Sequence, residues 1–156
     1  MPARKNRPIK LTKAKAALIQ IEAAIRHYRV GEFVEAVTLA GAAEGCLPIA
    51  EGTGIRKLTE LAERRMMDES DLGREAKARG ISMRSHVISA VNLSRDWLKH
   101  ANDKQPTEWE IESDEPMFMI FRALTVYDHH KGRETPSIRW FRKHLSARVV
   151  KIQAGE

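Results

Sequence analysis

Apolar side chains recur every three or four residues through the N-terminal part of the chain, and this spacing is the strongest constraint on the fold. The positions are Leu11, Ala14, Leu18, Ile21, Ile25 and Tyr28. A repeat near 3.6 residues places them along one face of an α-helix. After the break at Val30-Gly31-Glu32, a second helical face contains Phe33, Val37, Ala40 and Gly41. Because the break is so short, the two helices are expected to form an antiparallel hairpin.

The rest of the chain also favours helices. A third helix is predicted from Ile55 to about Met66, and a fourth ends near His100. A fifth opens at a capping Asp114, and a sixth follows Thr135-Pro136, a cap and first-turn pair. Their predicted core residues are Phe118, Phe121, Ala123, Leu124 and Tyr127, then Ile138, Phe141 and Leu145.

These patterns predict an all-α protein, an up-and-down bundle of four to six helices. The 156 residues suit one domain with a core of its own. Residues 1–10 are expected to be a flexible basic arm and residues 11–150 the bundle. The segment from Asp68 to Gly80 matches no clear pattern.

Several protein classes are excluded by composition. The single cysteine, Cys46, allows no internal disulfide and no zinc site built from several cysteines, and it is expected to be an inert core residue. No apolar run approaches the length of a membrane span, and the basic N-terminus lacks the apolar stretch of a secretory signal. A soluble, cytoplasmic protein is therefore expected.

The net charge of +6 is concentrated at the two ends of the chain. The N-terminal cations include Arg4, Lys5 and Arg7, and further basic residues run from Lys131 to Lys151, whereas an acidic stretch runs from Asp103 to Glu115. Basic ends attract nucleic acid through counterion release. They are equally consistent with a solvated, solubilising surface.

Glu44 is the most conspicuous charged residue in the second helix. It lies seven residues after Val37 and so falls on the apolar face, where a carboxylate needs a cation or a hydrogen-bond donor. The natural partner is Arg95, if the fourth helix is a neighbour. Such a pair is either a structural lock between two helices or a device that orients Arg95 toward a bound phosphate.

Arg95 and His100 supply the two side-chain types that metal-free RNA cleavage needs. Arginine carries a permanent cation that holds phosphate, and histidine moves protons near neutral pH. On a straight helix five residues turn through about 140°, so Arg95 and His100 converge only if the helix ends near His100 or if two copies of the chain combine. Asn92 shares a helical face with Arg95. It is expected either to contact a ligand or Arg95, or to be a polar surface residue without a role.

Other candidate sites are weaker. The adjacent His129 and His130 point about 100° apart on a helix and cannot easily share a metal. Gly52-x-Gly54 is too short for a phosphate-binding loop. Trp97, Trp109 and Trp140 could stack on bases, but core or dimer packing is favoured for Trp97 and Trp140. No metal or cofactor is predicted, and no serine or cysteine nucleophile arrangement is present.

Three segments resemble the HEPN superfamily (higher eukaryotes and prokaryotes nucleotide-binding): Ile21–Tyr28, Ala36–Glu44 and Trp97–Ala101. The similarity covers residues 11–145 in helix order. Its specific part is a short motif, an Arg and a His separated by four to six residues, the first of which is usually polar. Arg95, Asp96 and His100 match this motif. The resemblance implies a helical bundle, often a homodimer, and in many members a metal-independent endoribonuclease, including toxins of toxin–antitoxin pairs.

If the motif is active, the chemistry of the residues gives each of them a role. His100 would move the proton of a ribose 2′-hydroxyl, Arg95 would hold the phosphate, and Asp96, Glu44 and Asn92 would support them. Arg4, Lys5, Arg7 and Lys99 are the candidate nucleic-acid contacts, and the expected partners are a second copy, RNA or a nucleotide, and an antitoxin protein. Some members of the superfamily lack the motif. A non-catalytic module that binds a nucleotide, RNA or a protein therefore stays open as the alternative.

Overall fold

The computed structural model describes residues 9–69, 83–99 and 106–154, and every regular element in these ranges is an α-helix. The six helices described are α1 (Lys13–Arg29), α2 (Phe33–Cys46), α3 (Gly54–Glu69), α4 (Met83–Lys99), α5 (Asp114–His129) and α6 (Pro136–Ala154). The prediction of an all-α bundle is confirmed. Within these ranges no helix combines the length and the apolar character that crossing a membrane requires.

The first two helices form the predicted antiparallel hairpin. The Oγ1 of Thr12 caps α1 by accepting a hydrogen bond from the amide of Lys15, at 3.1 Å. Gly31 turns the chain with φ of 81°, a left-handed conformation that glycine adopts readily. The two helices then run side by side. At the far end of α2, Cys46 Sγ donates a hydrogen bond to Gln20 Oε1 of α1 at 3.3 Å.

The core lies between this hairpin and α5. It is formed mainly by Ile21, Ala24 and Ile25 of α1, Val37, Ala40 and Ala43 of α2, and Met117, Ile120, Ala123, Leu124 and Tyr127 of α5. Helix α6 covers α1 with the predicted Ile138 and Phe141, while α4 packs on α2 and α3. Thr135 caps α6 as predicted, since its Oγ1 accepts a hydrogen bond from Ile138 N at 3.4 Å.

Three predicted core positions are wrong. Leu11 precedes the start of α1 at Lys13, and Ala14 lies in its exposed first turn, so the buried face begins instead at Ala17. Phe118 is 44% exposed. It follows Met117 by one residue, or about 100° of rotation, and Met117 is the residue on the core face.

The predicted cap of α5 is also displaced by one residue. Asp114 is the first residue of the helix, and Ser113 is the N-cap. The region from Asp68 to Gly80 is described only as far as Glu69, which ends α3. The remainder of that region and most of the N-terminal arm lie outside the described residues.

Candidate functional site

Glu44 is buried, as its position on the apolar face of α2 predicts. Only 1% of the residue is accessible to solvent. The small residues around it in α2 let neighbouring helices approach, and Gly54, the first residue of α3, lies directly beside it. A Cβ added to Gly54 would lie 2.8 Å from Glu44 Oε1, and the φ of Gly54 is 54°. Gly54 therefore lets α3 begin directly beside the Glu44 carboxylate, where a larger residue would not fit.

Arg122 of α5 is the principal partner of Glu44. Its Nε donates a hydrogen bond to Oε1 at 3.1 Å and its Nη2 donates to Oε2 at 2.6 Å, a two-point pairing that matches the guanidinium fork to the carboxylate. Nη1 donates to Asn92 Oδ1 of α4 at 2.9 Å. Burial lowers the pKa of Arg122 from its usual value, and the adjacent Glu44 opposes this effect.

Arg95 is the outer cation of this cluster. Its Nη1 lies 3.6 Å from Glu44 Oε2. Its Nε and Nη2 donate to Asp96 Oδ1 at 3.3 and 3.2 Å. The side chain is 25% exposed, whereas that of Arg122 is 1% exposed, so Arg95 joins the buried pair to the surface.

The predicted pairing of Glu44 with Arg95 is thus only part of the arrangement. Arg122 makes the closer contact, and the sequence interpretation did not include it. A signal was present, because Arg122 is the only charged residue between Glu115 and Asp128. A lone charge within an apolar helical segment needs a buried partner, as Glu44 does.

The other supporting residues divide between the two arginines. Asn92, predicted to contact a ligand or Arg95, is buried and instead accepts a hydrogen bond from Arg122. Asp96, predicted to orient His100 or Arg95, contacts Arg95 and is 42% exposed. Lys99 is exposed and is the last residue of α4. His100, Arg4, Lys5 and Arg7 lie outside the described residues.

Hydrogen bonds to α5 and to the segment before it hold the C-terminal half of α4 in place. Ser94, which precedes Arg95 in sequence, is buried. Its Oγ donates a hydrogen bond to Glu115 Oε2 and accepts one from Trp109 Nε1 at 2.8 Å. Trp97 Nε1 donates to the carbonyl oxygen of Pro106 at 2.8 Å. Two of the three tryptophans are therefore engaged in polar contacts that fix the turn bearing Arg95.

The predicted basic surface on α6 is largely paired with carboxylates. Arg142 donates from Nη2 to both carboxylate oxygens of Asp128 at 2.8 Å, and Arg139 Nε donates to Glu134 at 3.2 Å. Arg148 donates to Asp114 at 2.8 Å. These pairs are partly exposed and reduce the positive potential that the sequence alone predicts for this helix.

Three other histidines, His129, His130 and His144, and the ring of Trp140 pack against neighbouring side chains. The rings of His129 and His130 meet edge to face, with centroids 5.4 Å apart. Trp140 stacks on His144 at 5.1 Å, and the guanidinium of Arg29 lies 4.6 Å from the centre of its ring. Among the described residues, no group of three or more His, Cys, Asp or Glu side chains has the arrangement of a metal site.

The site is therefore a charge-balanced cluster that reaches the surface at one point. Glu44 and Asp96 offset Arg95 and Arg122, and only Arg95 and Asp96 are partly open to solvent. A guanidinium held in this way is preorganised to receive an anion on its exposed side. Comparisons with protein-family models, with curated proteins and with solved structures found no match to this chain.

Proposed function

We propose that this protein is a HEPN-like, metal-independent endoribonuclease whose active site contains Arg95 and His100. The observation that carries the proposal is the state of Arg95. Its guanidinium is held by Glu44 and Asp96 yet remains 25% exposed. It lies in the last turns of α4, and His100 is the next residue in sequence after that helix.

The proposed reaction uses the ribose 2′-hydroxyl as the nucleophile. His100 removes its proton while the 2′-oxygen attacks the neighbouring phosphorus, and the bond from phosphorus to the 5′-oxygen breaks. The second His100 of a homodimer returns a proton to the leaving 5′-oxygen. The products are a 2′,3′-cyclic phosphate and a 5′-hydroxyl, and DNA, which lacks the 2′-hydroxyl, is not a substrate.

In this mechanism Arg95 binds the phosphate and stabilises the negative charge that develops on its oxygens. A guanidinium offers paired N–H donors that match two phosphate oxygens, which an ammonium cannot do. Asp96 orients Arg95, and Glu44 holds it from the interior. Lys99 and the basic arm with Arg4, Lys5 and Arg7 would contribute to RNA binding outside the reacting centre.

The proposal extends to partners and setting. On a straight helix, the side chains of Arg95 and His100 of one chain point apart. In a homodimer, Arg95 of one chain and His100 of the other can converge on the same phosphate. An antitoxin protein that restrains the nuclease is the proposed second partner, and the cytoplasm, where RNA is present, is the proposed location.

The test is cleavage of a mixed RNA by the purified protein in EDTA. Replacing His100 with Ala should lower the rate by about 10²- to 10⁴-fold, and Arg95→Ala by about 10²- to 10³-fold. His129→Ala is the matched histidine control, because His129 is exposed and lies at the end of α5. Equal cleavage by wild type and His100→Ala would show a contaminating nuclease and contradict the proposal.

One observation favours a second candidate function. Arg95 already faces two carboxylates within its own chain, which suits a non-catalytic module that binds a nucleotide, RNA or a protein. The absence of cleavage by wild type, together with unchanged RNA binding in Arg95→Ala, would favour this alternative. Fluorescence anisotropy with a labelled single-stranded RNA measures that binding directly.

A further inference from the structure

Gly41 of α2 lies directly beneath the side chain of Arg95. A Cβ built on Gly41 would lie 3.1 Å from Arg95 Cδ and 3.4 Å from its Cγ. The terminal carbon of Met119 would lie at 3.4 Å. The separation of 3.1 Å from Arg95 Cδ is tighter than ordinary van der Waals contact, whereas the two of 3.4 Å lie at its lower edge. The aliphatic part of Arg95 therefore occupies the space that a side chain at position 41 would need.

Gly41 and Glu44 act on the same arginine from the same helix. They are three residues apart in α2, a spacing that puts them on one helical face. Gly41 accommodates the aliphatic part of Arg95, while Glu44 Oε2 lies 3.6 Å from its Nη1. Glu44 is itself fixed by its two hydrogen bonds with Arg122.

We infer that Gly41 is a positioning residue. Because it has no side chain, it leaves a space for the aliphatic part of Arg95, here called the seat, and the seat directs the Arg95 guanidinium toward the phosphate site. The seat itself does not depend on what the protein does, while its catalytic consequence rests on the proposed ribonuclease function. The choice of residue supports the inference. Glycine is a poor helix former, and the adjacent positions Ala40, Ala42 and Ala43 carry the best one.

The chain provides a matched control in Gly45. It lies in the same helix and has no heavy atom within 4 Å of an added Cβ. Gly41→Ala and Gly45→Ala therefore make the same chemical change in the same helix. Only the change at Gly41 meets Arg95.

The first experiment measures kcat and KM for RNA cleavage by both variants. In Gly41→Ala, Arg95 Cδ must move by a few tenths of an ångström, and small misplacements of catalytic groups are costly, so kcat should fall by about tenfold or more with little change in KM. Gly45→Ala should match wild type. In an Arg95→Ala background, Gly41→Ala should have no further effect, because the side chain it displaces is gone.

A second readout tests the seat without depending on cleavage. The Nε–H of Arg95 donates to Asp96 at 3.3 Å and gives a ¹⁵N-edited NMR signal that is identified by its loss in Arg95→Ala. This signal should shift in Gly41→Ala and stay in place in Gly45→Ala. If both signals coincide with wild type, the inference is overturned, whether or not the protein cleaves RNA.

The two readouts separate the two proposals. A shifted signal in a protein whose wild type does not cleave RNA would support the seat and contradict the ribonuclease function. Cleavage that falls equally in both glycine variants would overturn the role of Gly41. Should Gly41→Ala fail to fold, recovery of folding by the added Arg95→Ala change, measured by circular dichroism, would support the contact, and persistent unfolding would oppose it.

Discussion

The buried pair of Glu44 and Arg122 carries a large electrostatic cost that only good geometry offsets. Each charge loses most of its hydration when it is enclosed, and 1% of each residue remains exposed. Two hydrogen bonds between the pair and one from Arg122 to Asn92 compensate. The pair therefore joins α2, α5 and α4 at one point. Removing either charge alone takes away the two hydrogen bonds that do most to offset the burial of the other.

We expect Glu44→Met and Arg122→Met each to lower the free energy of unfolding by about 3–5 kcal/mol. The double variant should cost clearly less than the sum of the two, because it buries no uncompensated charge. Urea denaturation followed by circular dichroism measures all three. Asp128→Asn, which breaks the partly exposed pair with Arg142, is the control and should cost about 1 kcal/mol or less. Additive losses in the double variant would contradict this account.

At the scale of the helices, patterning in the sequence predicts the elements better than their pairings. The 3.6-residue repeat correctly indicates α1, because Ile21 and Ile25 point into the core. The same repeat misplaces Phe118, since α5 is apolar on most sides and its core face depends on which helices surround it. Periodicity cannot reveal that α5 lies against α2. For this reason the sequence points to a buried Glu44 and contains a lone charge at Arg122, but it does not show that the two residues pair.

Glu115 joins two helices and should make the stability of the protein depend on pH. In the first turn of α5, it accepts hydrogen bonds from Ser94 of α4 and from the amide of Glu112. Burial raises its pKa above the usual 4.5, repulsion from Glu112 adds to the increase, and the Glu112 amide opposes it. A raised carboxyl pKa favours the protonated folded state, so this contribution is present below pH 4.5 and is lost as the pH rises through the folded value.

Glu115→Gln should remove this dependence on pH. The neutral amide still offers an oxygen to Ser94, so the variant and wild type should be similarly stable near pH 4. The variant should become the more stable one as the pH rises through the raised pKa of Glu115. Thermal denaturation from pH 4 to pH 8 measures the difference. Glu110→Gln, at an exposed position before the same helix, controls for the loss of one negative charge. A difference that stays constant with pH, or reverses, would contradict the prediction.

For the molecule as a whole, we expect the distribution of charge to matter more to the proposed RNA binding than the total of +6. The sequence is basic at both ends, but Arg139, Arg142 and Arg148 of α6 are paired with carboxylates. A cation that already contacts a carboxylate must exchange that partner for a phosphate, which lowers its net contribution to binding. Arg4, Lys5 and Arg7 belong to a segment of the sequence that contains no acidic residue. The N-terminal arm should therefore contribute more to RNA affinity than α6.

The salt dependence of RNA binding tests this difference between the two ends. Each phosphate of a single strand that is neutralised contributes about 0.7 to the slope of log K against log salt concentration, so replacing Arg4, Lys5 and Arg7 together with Gln should reduce the slope by about 2. Replacing Arg139, Arg142 and Arg148 with Gln removes the same formal charge and should change the slope by less than half as much. Fluorescence anisotropy with a labelled single-stranded RNA, titrated at several salt concentrations, gives both slopes. Equal reductions would mean that only net charge matters, and a larger reduction for the α6 variant would show that RNA displaces the carboxylates and binds along that helix.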